Sequence, residues 1–237
     1  ANTMINRASI RIKIVQIIYA YYQNGNKNID SAEKELLFSL SKAYDLYNFL
    51  LLLIVAITRE ESLRVEVEER KQARLKSGEI PNRKFADNRF VAQLESNKTL
   101  QEFAQNKQKN WDNEMNIVRI LLEKIQETDI YKEYMASAES SYEEDRELWR
   151  KLYKTIIFNN EELDAVLEEI SLYWNDDKDI VDTFVLKTIK RFEEANGPKQ
   201  ELLPEYKDVE DKVLACRLLR SSILNGENYR RMMSDYS

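Results

Sequence analysis

Residues 36–57 read LLFSLSKAYDLYNFLLLLIVAI, and this stretch decides the fold class. Leu36, Leu37, Leu40, Tyr44, Tyr47, Leu51 and Ile54 recur three and four apart, the spacing that stacks side chains on one face of an α-helix. From Phe49 to Ile57 nine residues run without a charge, so the helix becomes apolar all round. A bilayer needs about 20 such residues. The run therefore reads as a helix buried among other helices.

The neighbourhood fits a helical reading. Upstream, Asp30 followed by Glu33 is a capping-box-like start. Downstream, Arg59 to Lys76 continues the helix with Leu63, Val67 and Leu75 as a thin apolar stripe, until Ser77 to Asn82 breaks it. In 237 residues there are 4 Gly and 3 Pro, while 33% of residues are charged, which favours long helices over many short strands. A first helix is predicted over about 5–24. After the break, Asp87–Lys107 carries apolar repeats, Asp112 caps a helix, and a short one spans Asp129–Met135. Ser141 with Glu144, Asn160, and Asp177 or Asp179 open three more, and the last runs about Lys207–Leu224. Gly226 is expected to separate a terminal piece, Glu227–Tyr236. The expectation is an all-α multi-helix bundle of nine or ten helices with no strand.

Composition excludes much chemistry. Histidine is absent, which removes the commonest general base and zinc ligand. No glycine-rich phosphate loop occurs. Asn175–Asp179 lacks the glycine and the acid that a calcium loop places at its sixth and twelfth positions, where Ile180 and Leu186 stand, and it reads as a helix cap. Acidic pairs such as Glu143-Glu144 and Glu161-Glu162 suit first turns of helices. No catalytic constellation is visible, so neither an enzyme nor a metal or cofactor is expected. Cys216 stands alone, which precludes an internal disulfide, and Arg11 and Lys13 interrupt any apolar leader. Both features suit the cytoplasm.

Charge is unevenly placed. The chain carries −6, yet residues 4–29 hold no acid and contain Arg7, Arg11, Lys13 and Lys27. Ile10, Ile14, Ile17, Ile18, Tyr21 and Tyr22 give the same segment an apolar face. Arg7 and Arg11 are four apart and share a helix face, suited to gripping the phosphates of a nucleic-acid strand. The bland alternative is a solvated helix end whose cations pair with acids elsewhere. Tyr19 and Tyr22 are expected to pack rather than stack on bases.

The residues Arg11, Val15, Gln16 and Tyr19 resemble the opening helix of the NusB family of transcription antitermination factors. A second matching stretch holds Asp208, Asp211, Arg217, Leu218, Leu219 and Ile223 to Gly226. The resemblance implies NusB-like helices at 4–58, a helical insertion over 59–203 as in an extended bacterial form, and a return helix at 204–237. It also implies a second bundle beyond Ser237, leaving an apolar surface near Leu214–Met233 exposed or covered by another copy. The implied function is transcription regulation by a non-catalytic, RNA-binding scaffold. The implied partners are a boxA-type RNA element, a small-subunit ribosomal protein and the transcription elongation complex. Arg7 and Arg11 become RNA-binding candidates by the match and Lys13 by charge alone; Ala8 and Ser9 stand where the family usually has further arginines. The competing expectation is a helical protein–protein adaptor working through the acidic insertion without RNA.

Overall fold

The computed structural model describes residues 7–23, 28–107, 109–205 and 209–234. Among them the regular structure is entirely helical: ten α-helices, two 3-10 turns and one π-turn, with no strand. The protein is an all-α bundle. It divides into two compact units, one of 1–45 with 203–237, the other of 46–202. The sequence reading placed these divisions at 58/59 and 203/204. The first boundary comes earlier because the apolar run from Leu46 to Ile57 is buried in the second unit's core.

The first unit contains α1 (Arg7–Gln23), the opening part of α2 (Ile29–Leu75) and α10 (Val209–Ser234). Ile10, Ile14, Ile17 and Tyr21 of α1 meet Ala32, Leu36 and Leu40 of α2 and Ala215, Leu219 and Ile223 of α10. Each helix thus contributes one stripe at three- and four-residue spacing. The start of α2 differs from the expected capping box. Asn28 caps it instead, its side-chain oxygen accepting from the backbone N–H groups of Asp30 and Ser31. Asp30 and Glu33 both bind Arg220 of α10.

Gly226 does not end a helix: α10 continues through it to Ser234. A Cβ there would lie 2.7 Å from the Tyr22 hydroxyl, which donates to the Ile223 carbonyl at 3.1 Å. The glycine serves close approach of α1 to α10, at the expense of helix propensity.

The second unit is built on the rest of α2, in which Leu50, Leu51, Leu53, Ile54 and Val55 are buried. Around it lie α3 (Arg89–Ser96), α4 (Lys98–Asn106), α5 (Met115–Glu127), α6 (Asp129–Ala136), α7 (Tyr142–Leu152), α8 (Glu161–Ile170) and α9 (Lys178–Arg191). The expected Asp87–Lys107 segment is two helices. Asn97 ends α3 in an extended conformation and caps α4, its Oδ1 accepting from Leu100 N–H while its Nδ2 donates to the Gln200 carbonyl. Asp112 falls in a 3-10 turn ahead of α5 rather than at its cap. Ser141 and Asn160 cap α7 and α8 as expected, whereas Asp177 stands at the N-cap of α9 without a side-chain capping bond.

Aromatic residues fill this second core. Phe49 stacks on Trp111 at 4.1 Å, and the Trp111 indole N–H donates to the Phe49 carbonyl at 2.8 Å. Beyond Arg59 the expected stripe faces outward, for Leu63, Val67 and Leu75 are all exposed. The buried line runs Ile54, Thr58, Val65, with half-buried Glu61 between. Glu61 accepts from Gln126 at 2.7 Å, and Glu69 from Arg83 at 2.7 Å. This half of α2 therefore packs largely through polar contacts. By length and composition α2 could cross a membrane, but two-thirds of its apolar window, 67%, is buried inside the protein, as in a core helix.

Candidate nucleic-acid interface

The acid-free helix α1 positions the candidate residues. Its inward stripe is Ile10, Ile14, Ile17 and Tyr21. At about 100° per residue, positions 11, 15 and 19 fall well away from that stripe. Arg11, Val15 and Tyr19 are accordingly exposed, Val15 at 67% and Tyr19 at 68%. Three of the four opening-helix residues of the resemblance lie on this outward side, and Gln16 is half-buried.

Arg11 makes no ion pair among the described residues. The nearest acids in sequence, Asp30 and Glu33, are engaged by Arg220. A guanidinium without a carboxylate partner keeps its full capacity to bind phosphate. Arg7 opens the same helix, so its backbone is four residues from Arg11 along one face, but its side chain lies outside the described residues. Lys27 likewise lies outside them.

Lys13 corrects the sequence reading: it is only 4% exposed. Its Cα direction falls on the flank of the Ile10–Ile14–Ile17 stripe, and a side chain so enclosed does not present its charge to an incoming strand. Tyr19 is the second correction. Expected to pack, it stands on the outward face, where its ring is open to a base. The angular position of residue 19, about 180° from the inward stripe, was the signal that could have found it. Of the neighbouring pair, Tyr21 is buried and Tyr22 half-buried. Tyr21 donates to Glu227 at 3.2 Å, and burial, then the Glu227 carboxylate, push its phenol above the ordinary value.

The outward side of α1 thus combines a cation, aliphatic Ile12 and Val15, and an aromatic ring, with no acid along the helix. On α10, Val213, Leu214, Leu218 and Leu224 are also exposed. Side chains of the expected apolar region from 228 onward lie outside the described residues.

The titratable groups with the largest shifts sit elsewhere, in the second unit, and serve packing. Asp182 is buried between α7 and α9 and accepts from Tyr153 at 2.5 Å and from Lys178 at 2.7 Å. Burial raises its carboxyl to about 6 despite the opposing Lys178 charge. Lys178 also donates to the Ile157 carbonyl at 3.0 Å, which closes the network beneath the π-turn Tyr153–Ile157. Comparison of the chain with family models, curated proteins and solved structures finds no match in any of the three.

Proposed function

We propose that this protein is an RNA-binding scaffold of transcription antitermination, in which α1 contacts a boxA-type single-stranded element. Arg11 grips phosphate and Tyr19 stacks on a base. The observation that carries the reading is the outward side of α1: exposed Arg11 without a carboxylate partner, two turns before exposed Tyr19, on a helix with no acid. A cation tracking the backbone beside an aromatic platform is the pairing that single-stranded nucleic acid requires. The resemblance of Arg11, Val15, Gln16 and Tyr19 to the NusB opening helix adds the antitermination context, a small-subunit ribosomal protein as partner, the elongation complex as its setting and the cytoplasm as its compartment. The scaffold is non-catalytic in this reading, and Arg7 joins Arg11 by its place on the helix.

Binding of a fluorescent oligoribonucleotide across a salt titration tests this. Arg11→Ala should flatten the log–log salt dependence by about 0.7, the loss of one phosphate contact on a single strand. Tyr19→Ala should weaken binding by about 1–3 kcal/mol with the salt slope unchanged. Unaltered affinity in both variants would remove α1 as the RNA surface.

A second reading, the helical adaptor, draws support from one feature of the second unit. An open cleft of about 600 Å³ between α2, α4 and α5 is floored by Leu52, Val55, Leu100 and Met115. In that reading the protein does not bind RNA, and the same titration separates the two.

A further inference from the structure

The C-terminal end of α2 crowds four cations together, two of them arginines that differ from other arginines of the second unit. Elsewhere in that unit Arg59, Arg64, Arg83, Arg89, Arg119, Arg146 and Arg150 each face a carboxylate. Arg70, Lys71, Arg74 and Lys76 are all exposed, and none of them has an ion pair among the described residues. Residues 70–78 contain no acid. Cations in the last turn answer the helix dipole, but Arg70 and Lys71 precede that turn, and one or two charges would suffice.

The backbone supplies an independent sign. Lys76 has φ +50°, the left-handed conformation that glycine adopts without strain. Its N–H donates to the Ala73 carbonyl at 3.3 Å and the Ser77 N–H to the Gln72 carbonyl at 3.3 Å, the paired bonds of a Schellman cap. A lysine held where glycine is favoured keeps a charge at the tip in spite of backbone strain, and such a departure points to a use.

We propose that Arg70, Lys71, Arg74 and Lys76 form a second docking surface for the phosphodiester backbone of single-stranded RNA. The proposal rests on the RNA-binding reading above and adds a contact that the α1 surface does not contain. Charge complementarity selects the occupant: the Arg70 and Arg74 guanidinium forks have no carboxylate partner among the described residues, Arg70 donating its Nε to the Glu66 carbonyl at 3.3 Å, and such forks match phosphate oxygens in geometry and charge. An anionic bilayer fits less well. The tip has exposed Leu75 and Ile80 but no Trp or Tyr, the side chains favoured at a bilayer interface, and Glu79 immediately precedes Ile80. The surface reads no sequence, because phosphate contacts position a strand without distinguishing its bases.

The test uses the whole chain, a fluorescent oligouridine and vesicles containing an anionic phospholipid. The triple variant Arg70→Ala/Lys71→Ala/Arg74→Ala should keep its thermal midpoint and lose about 2 from the log–log salt slope, about 0.7 for each contact. Lys76→Gly is the sharper probe. It should raise the thermal midpoint by relieving the backbone while weakening oligouridine binding; a purely structural lysine would give the first effect without the second. Unchanged oligouridine binding in both variants overturns the proposal. So does vesicle binding by the native chain that the triple variant loses while its oligouridine binding persists. If Arg11→Ala and Tyr19→Ala weaken binding and the tip variants do not, the α1 reading stands and this inference falls. The reverse pattern keeps the tip as the RNA surface and removes α1.

Discussion

The two units hold themselves together by different means. The first has a thin core of single stripes from three helices, filled mainly by isoleucine, leucine and alanine. The second encloses Trp149, Trp174, Tyr153, Phe85, Phe90 and Phe192 and threads polar networks through them. There Asp145 accepts from Tyr134 at 2.6 Å and from the Arg89 backbone N–H at 2.8 Å, and Gln93 spans the Glu193 and Gly197 carbonyls while accepting from Tyr142. A thin core tolerates exposed functional side chains on its outer face. A thick, polar-networked core fixes one arrangement and pairs seven of its arginines with carboxylates. Stability should therefore reside mainly in the second unit, and the surfaces proposed above for RNA should contribute little to it.

The comparison breaks most readily at Trp149. Fully buried against Phe85, it should cost about 3–5 kcal/mol when replaced by alanine. Ile17→Ala, in the thinner core, should fall nearer the lower end of the roughly 2–5 kcal/mol range for such truncations. Urea unfolding of both variants measures the contrast, and equal losses would remove the distinction between the cores.

Next comes the buried ion pair. Asp182→Ala leaves the Lys178 charge and the Tyr153 hydroxyl without their main partner and should destabilise by about 3–5 kcal/mol. The double change Lys178→Met/Asp182→Leu should cost much less, because two desolvated charges disappear together. A double variant as unstable as the single one would show that the pair itself, rather than its imbalance, supports the fold.

The same carboxyl gives a pH effect whose sign follows from burial. Its value in the folded chain is about 6 against an ordinary 3.8, so between these limits the folded state holds a proton that the unfolded state has released. Stability from this group is therefore highest below pH 4 and declines as pH rises through 6, by about 3 kcal/mol in all. The native chain measured against Asp182→Asn isolates it from other carboxylates. A stability difference that stays flat between pH 4 and 7 would contradict the assignment.

The smallest expected effect tests the tight approach in the first unit. In Tyr22→Phe the hydroxyl nearest Gly226 is gone, and the next ring atom lies 3.5 Å from a would-be Cβ, an ordinary contact. Adding Gly226→Ala to that variant should stabilise it by up to about 1 kcal/mol through helix propensity. In the native background the gain should vanish, because the methyl group meets the hydroxyl. A gain of equal size in both backgrounds would show that the contact does not constrain residue 226.

Much of this architecture was readable where periodicity is strong. The all-round apolar run of α2 announced a buried helix, and Ser141 and Asn160 announced their caps. The break at Asn97 was hidden because apolar repeats continue across it, and its stabilising partner, Gln200, lies about a hundred residues away. Gly226 misled because a glycine that permits close approach has the same letter as one that ends a helix. Within the candidate site, exposure of Arg11 followed from its phase, whereas Lys13 was assigned by charge although its phase placed it beside the core stripe. The α2 tip was passed over because a charge-rich helix reads as solvated. The contrast with seven paired arginines singles out Arg70 and Arg74, and the positive φ singles out Lys76.

The three tryptophans of the chain, Trp111, Trp149 and Trp174, are all buried, and all belong to the second unit. Indole fluorescence is thus a private signal of that unit, while the described residues of the first unit carry tyrosine and phenylalanine as their aromatic residues. Far-ultraviolet circular dichroism, by contrast, sums both. Denaturation curves from the two spectroscopies will superimpose if the halves melt as one cooperative body and separate if they do not. The placement of three rings therefore makes the native chain its own reporter of thermodynamic coupling, with no label attached.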